Sequence, residues 1–243
     1  MTKNSNQAAE SESPLKRRSF LKYSGLGIAA SAVALAGCED GLFGSDANVK
    51  ANGRAAEEGE IDLGSGDIGI LNYAYALEQL EAGFYTMVVA ADGFSGRYSE
   101  EEQQILMDLK AHEITHREFL KTALGSNAIP SLTPNFDSID FTSRETVLAT
   151  AKVFEDLGVA AYNGAGKLLV DVNLLLVAGK IVSDEARHAS AIRDVINPLS
   201  MDFAGDDVID ENGLDQAIMP LDVLAAAQPY IKEKLNGSNL PTE

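Results

Sequence analysis

Two copies of one four-residue unit set the terms for this chain. Glu113-Ile114-Thr115-His116 and Glu185-Ala186-Arg187-His188 both end on histidine, and the 243 residues contain only three histidines. Each copy lies in a run whose apolar residues recur at three- and four-residue steps, the pattern of a helix with one buried face. Residues three apart share a helix face, so carboxylate and imidazole converge on one point in each unit. Two of three histidines used this way point to a metal site made twice and assembled from two halves.

The spacing predicts four long helices. The first covers 67–90, with Leu71, Ala74, Leu77, Leu80, Phe84 and Val88 as its stripe. It is roughly 35 Å long at 1.5 Å per residue, and Asp92-Gly93-Phe94-Ser95-Gly96 breaks it. The second starts at Ser99, where Glu102 completes a capping box, and stops at Gly125. Residues 126–141, with Pro130 and Pro134, read as a long crossover. The third helix starts near Thr142 with Glu145 as capping partner, and Asn163-Gly164-Ala165-Gly166 is expected to loosen its end. The fourth covers 171–196 and is closed by Asn197-Pro198. An acidic, irregular 199–219 leads to a short last helix over 220–235, interrupted at Pro229. No alternating β-runs of useful length occur. The expected fold is all-α: an up-down four-helix bundle over 67–197, a long crossover between helices two and three, and a C-terminal extension, 198–243, with a short helix.

The candidate ligands repeat with the helices. Glu78 is followed seven residues on by Tyr85, and Glu155 seven residues on by Tyr162. Each then gains an E-x-x-H, Glu113/His116 or Glu185/His188, after 35 and 30 residues, the length of two antiparallel helices and a turn. A bundle core rarely holds carboxylates unless they are paired or bind metal. Glu78, Glu113, His116, Glu155, Glu185 and His188 supply six ligands for two ions. Oxygen-rich ligation with some imidazole suits iron or manganese, with zinc also accommodated. Two ions about 3.5–4 Å apart can share carboxylates. Glu81, one turn from Glu78, competes for the ligand role, and the repeated spacing of Glu155 and Tyr162 favours Glu78. Tyr85 and Tyr162 are expected as packing aromatics with hydrogen-bonded hydroxyls.

These motifs carry a resemblance. Leu77-Glu78-Gln79-Leu80-Glu81-Ala82-Gly83-Phe84-Tyr85, His112-Glu113-Ile114-Thr115-His116 and Asp184-Glu185-Ala186-Arg187-His188-Ala189 resemble the ferritin-like domain proteins of the desiccation-related type, over 66–196. One Glu from each of two helices and an E-x-x-H from each of the other two is the dimetal arrangement of ferritin-like bundles. The resemblance implies a four-helix bundle with a dinuclear iron or manganese site. In it Glu113 and Glu185 would bridge, Glu78 and Glu155 would be terminal, and His116 and His188 would complete the two ends. It does not fix a reaction: a ferroxidase, oxidase or peroxide scavenger and a stress-associated module without turnover both fit.

Two other patterns compete. His112-Glu113-x-x-His116 matches the zinc-protease signature, in which both histidines bind zinc and Glu113 is the general base. The extended continuation is absent, since Arg117-Glu118-Phe119 offers no glycine or third histidine, and the second E-x-x-H is left unexplained. His112 then reads as a neighbour one turn from the ligands. Gly164-Ala165-Gly166-Lys167 follows a helix rather than a strand and lacks phosphate-loop spacing.

The N-terminus reads as an address. Arg17 and Arg18 precede Phe20-Leu21-Lys22 and an apolar stretch over 25–36, too short and small-residue-rich for a good spanning helix. The arginine pair resembles a twin-arginine export signal, and Leu35-Ala36-Gly37-Cys38 resembles a bacterial lipobox. Cleavage before Cys38 and lipidation of its thiol would anchor the protein to a membrane, facing the periplasm or cell exterior. A signal peptide over 1–38 and a flexible linker over 39–66 are therefore expected. The lone cysteine excludes an intramolecular disulfide framework. The formal charge is -18, and losing residues 1–37 leaves 14 basic and 35 acidic residues, a charge of -21. Nucleic acid is a poor partner for such a surface. A small-molecule oxidant is the expected partner of a redox-active site, and a homo-oligomer stays compatible with the pattern.

Overall fold

The computed structural model describes residues 59–243, so the signal peptide, Arg17, Arg18, Cys38 and most of the linker lie outside the described residues. Four long helices dominate: α1 (Gly66–Ala90), then after the single turn α2 (Phe94–Arg97), α3 (Glu100–Leu124), α4 (Arg144–Gly166) and α5 (Val172–Ile196). A shorter α6 (Pro220–Ala227) and two three-residue strands, β1 (Glu60–Asp62) and β2 (Lys234–Asn236), complete the elements used below. α1 packs on α3 and α4 on α5, two antiparallel hairpins joined by the 125–143 crossover.

Local chemistry explains most boundaries. At α3 the capping box forms as the sequence predicts: Glu102 N–H donates to Ser99 Oγ, and Ser99 N–H donates to the Glu102 carboxylate at 2.8 Å. Replacing Ser99 with Ala should lower stability by about 1 kcal/mol, read as a lower midpoint in urea with unchanged slope. α4 corrects the expected start. Its cap is Ser143, whose Oγ accepts from Thr146 N–H, while Thr142 is bound to Asp140 one residue too early. Asp171 caps α5 through Asn173 N–H.

α1 is buried on every side from Gly69 to Ala82, because the crossover covers the flank that the other helices leave open. A helix apolar all round is a core helix, and its polar residues here fasten the cover. Asn72 donates to the Leu63 and Asn127 carbonyls and accepts from Ile129 N–H, and Gln79 accepts from Leu132 N–H at 2.8 Å. Phe136 and Phe141 from the crossover, Phe84 from α1 and Phe154 from α4 form an aromatic cluster that Tyr230 closes from the C-terminal extension.

The C-terminal extension departs from the expected single helix. After α6 the chain turns through Gln228–Tyr230 and forms β2, which pairs in parallel with β1 in the register Glu60↔Lys234, Ile61↔Leu235, Asp62↔Asn236. The last residues of the expected flexible linker are therefore built into the domain. Proline at 229 removes an amide donor, so the helix gives way to extended chain. The end of α4 also differs from expectation, for Gly164 and Gly166 continue the helix. Arg193, almost fully buried on α5, donates to Asp156 of α4 and to Asp207 of the extension at 2.8–2.9 Å, which fastens 199–219 to the bundle.

Candidate metal centre

Glu78, Glu113, Glu155 and Glu185 each come from the middle of a different long helix, and all four are fully buried. His116 and His188 join them from α3 and α5, one turn after their glutamates, as the i,i+3 spacing requires. Their ligand atoms form two groups, each within 4.8 Å: Glu78, Glu113, His116 and Glu185 in one, Glu113, Glu155, Glu185 and His188 in the other. Glu113 and Glu185 belong to both groups. The structure thus brings all six sequence-predicted residues together.

The contacts cross between hairpins. His116 Nδ1 lies 3.0 Å from Glu185 Oε1, and His188 Nδ1 lies 2.8 Å from Glu113 Oε1. Tyr85 of α1 donates to Glu155 of α4, and Tyr162 of α4 donates to Glu78 of α1, both at 2.5 Å. Each tyrosine therefore braces the glutamate of the other repeat. Burial, followed by the facing carboxylate, holds both phenols well above their ordinary range, so they remain donors.

The braced oxygens are satisfied and the inward ones are not. Glu78 Oε2, both oxygens of Glu113 and Glu185, Glu155 Oε2 and the Nδ1 atoms of His116 and His188 have no aligned hydrogen-bond partner. The imidazole nitrogens sit near carboxylate oxygens without the directionality of N–H···O bonds. Among the described residues no lysine or arginine pairs with these carboxylates. Unpaired buried carboxylates are costly, and atoms that face one another around a shared space suit a cation in that space. Two divalent ions would match four carboxylate charges with neutral imidazoles, so these residues fit a dinuclear metal site.

Without metal, protons do this balancing. Burial pushes Glu78 up to about 7 against the pull of His116, and Glu185 rises well above the usual carboxylate range by burial and by the charge of Glu113. Burial also opposes the charge of Glu113, but His116 and His188 outweigh it and pull that carboxyl down to about 2. Burial likewise opposes a charged His188, yet Glu113 and Glu155 raise it to about 11.

Outside the inner set, Asp184 Oδ2 lies 3.5 Å from Nε2 of both His116 and His188 and 3.4 Å from His112 Nδ1. One carboxylate oxygen therefore faces the outer edges of both inner histidines and orients their rings. The E-x-x-H pattern by itself gives Asp184 no role. Its signal was there, since Asp184 stands before Glu185 as His112 stands before Glu113. His112, about half exposed, contacts His188 Nε2 at 2.9 Å, one turn from the cluster as expected. It groups with Asp184 and His188 rather than with His116, and Glu113 lies inside the cluster between two imidazoles. A single zinc held by His112 and His116 with Glu113 as free base does not match that placement. Glu81 is buried beside the cluster but belongs to neither group. A cleft of about 570 Å³ between α4, α5 and the C-terminal extension is lined by none of the six, so it is separate from the cluster.

Comparison with curated proteins finds no match. Comparison with known families matches the ferritin-like domain over residues 66–198, which runs from the first residue of α1 to just past α5 and takes in all six cluster residues. Matched over more than half its length, the chain belongs to the ferritin-like domain family.

Proposed function

We propose that this chain is an exported, lipid-anchored ferritin-like protein whose bundle holds a dinuclear iron or manganese centre for redox or metal-handling chemistry. The observation that carries the reading is the convergence of six side chains whose inward atoms lack partners. Glu113 and Glu185, common to both groups, would be shared by the two ions, and Glu78 and Glu155 would each hold one. Tyr162 and Tyr85 fix one oxygen of each terminal carboxylate and leave the other free to ligate. His116 and His188 would ligate through Nδ1, with Asp184 facing their outer nitrogens. When bound, such a pair of metal ions supplies electron exchange with dioxygen or peroxide. The protein's part is to hold a fixed, dry ligand set. The bundle excludes water except beside His116, whose side chain is 13% exposed, with Asp184 and His112 at the rim. A small oxidant would enter at that rim.

The twin-arginine pair and Cys38 support export after folding and attachment by lipid. Among the described residues no helix is long and apolar enough to cross a membrane. Elemental analysis of the mature protein beside Glu113→Ala/Glu185→Ala tests the reading. Near two iron or manganese ions per chain are expected, and none in the variant. One zinc that survives Glu185→Ala and is lost with His112→Ala would move the assignment to a protease. Absence of metal from both would leave a stress-associated bundle without turnover.

A further inference from the structure

We propose that Glu81 is a seventh ligand, held beside the two half-sites, and that Gly158 leaves the room its carboxyl needs to reach one of the two ions. The inference rests on the dinuclear reading and adds an asymmetry to it. The internal repeat pairs Glu78 with Glu155, Tyr85 with Tyr162, Glu113 with Glu185 and His116 with His188. Carried three residues past the first pair, the same correspondence sets Glu81 against Gly158. At this position one repeat has a carboxyl and the other has no side chain.

The geometry explains why both cannot be large. A Cβ on Gly158 would lie 3.1 Å from Glu81 Oε1 and 3.3 Å from Glu185 Oε2, tighter than such contacts normally are. The space between α1, α4 and α5 thus holds one carboxyl, and it is filled from α1. Gly158 has ordinary helical φ, so backbone conformation does not require glycine there. Glu81 is 4% exposed and makes no hydrogen bond or ion pair among the described residues. Its other neighbours are Leu77, Leu80, Phe154 and Leu157. A carboxyl in such surroundings weakens the metal-free fold, and nothing it touches there repays the cost. Ligation would: Glu81 Oε1 and Glu185 Oε2 border the same Gly158 gap, so a rotation about its side-chain bonds would turn the carboxyl toward the cluster. The ion it reaches gains a hard oxygen donor that the other lacks. Such a donor favours iron or manganese over softer-ligand metals, and makes the two positions unequal.

Calorimetric titration of the metal-free full chain with manganese(II) under nitrogen tests this. The wild type should take two equivalents with separable affinities. Glu81→Gln should weaken one at least tenfold and leave the other unchanged. Gly158→Ala, with Glu81 intact, should do the same, and the double variant should be no worse than either single one. Metal-free circular dichroism melts check that both variants keep the wild-type helix content. Wild-type affinities for both equivalents in both variants would overturn the assignment, and so would equal weakening of the two equivalents. No binding by the wild type would overturn this inference together with the dinuclear reading. Two equivalents lost only in Glu113→Ala/Glu185→Ala would leave that reading standing without Glu81.

Discussion

The metal-free protein is expected to lose stability as pH rises from about 4.5 through 7, and manganese or ferrous ion to reverse the trend. The groups that set the slope are in the cluster. Glu78 moves from 4.5 to about 7 on folding, because burial penalises its charge. A carboxyl whose folded value is raised binds its proton better when folded. Its contribution is whole below 4.5 and is lost as pH climbs through 7, on the order of 3 kcal/mol. Glu185 acts in the same direction. His188 moves from 6.5 to about 11, since Glu113 and Glu155 overcome the burial that opposes its charge. Its stabilisation is whole below 6.5 and fades toward 11. Within the cluster Glu113 pulls the other way, as Asp207 and Glu102 do outside it: lowered to about 2, Glu113 stabilises above 4.5 and stops doing so in acid. The metal-free optimum should therefore lie near the ordinary carboxylate range. Metal ions replace these protons, so at pH 7.5 a free-ion concentration a thousandfold above Kd should add about 4 kcal/mol per ion. For a domain of this size that is roughly 8–16 °C in Tm per ion. Melting curves from pH 4.5 to 8.5, with and without manganese(II), measure both effects. A flat metal-free profile with no metal shift would remove the physical basis for a cation site here. Glu113→Ala/Glu185→Ala should abolish the metal shift and lessen the metal-free slope, since Glu78 keeps the burial that raises it.

Much of this site was legible because its logic is local. An E-x-x-H on a helix fixes which two atoms converge without any knowledge of the rest of the fold, and two of them with matched upstream glutamates define four helices. Glu78 was separable from Glu81 for the same reason, by the seven-residue step to Tyr85 that Glu155 and Tyr162 repeat. What the sequence hid depends on partners far along the chain. Tyr85 and Tyr162 were expected to have bonded hydroxyls, but their exchange of glutamates between repeats needs the packing of α1 on α4. The β1–β2 pairing joins residues more than 170 positions apart, and each strand is only three residues long. No periodicity can announce a strand that short. Asn72 and Gln79 read as polar interruptions of an apolar helix until the crossover is laid over them. Arg193 had nothing local to mark it, since its partners come from α4 and from an irregular segment.

Gly164 shows how a correct composition signal can carry the wrong meaning. Glycines near the end of a helical run usually mark its termination, but here Gly164 is buried within α4 at ordinary helical φ. A Cβ there would fall 1.8 Å from the Ile218 carbonyl oxygen and 2.6 Å from its carbon, a collision with backbone rather than with a side chain that could turn aside. The close approach lets Ile218 N–H donate to the Ala160 carbonyl at 3.0 Å and lets Asn163 Nδ2 reach the Gln216 carbonyl at 3.1 Å, which seats the extension on α4 just ahead of α6. Gly164→Ala should therefore displace residues 216–218. Overpacking costs about 1–3 kcal/mol and a lost hydrogen bond about 1 kcal/mol, against about 1 kcal/mol regained from helix propensity. The net loss, about 2 kcal/mol, corresponds to a Tm roughly 4–8 °C lower. Hydrogen exchange should quicken at Ile218 while the α1 amides around Glu78 stay protected. Gly179→Ala supplies the opposite sign. Gly179 is exposed in mid-α5 with nothing near its would-be Cβ, so the same substitution should raise stability by about 1 kcal/mol. Because both changes are glycine to alanine inside a long helix, propensity is common to them, and the difference between them isolates the contact with Ile218. If the two variants melted alike, the extension would have to be held by Arg193, Tyr230 and the β1–β2 pair without the Ile218 contact.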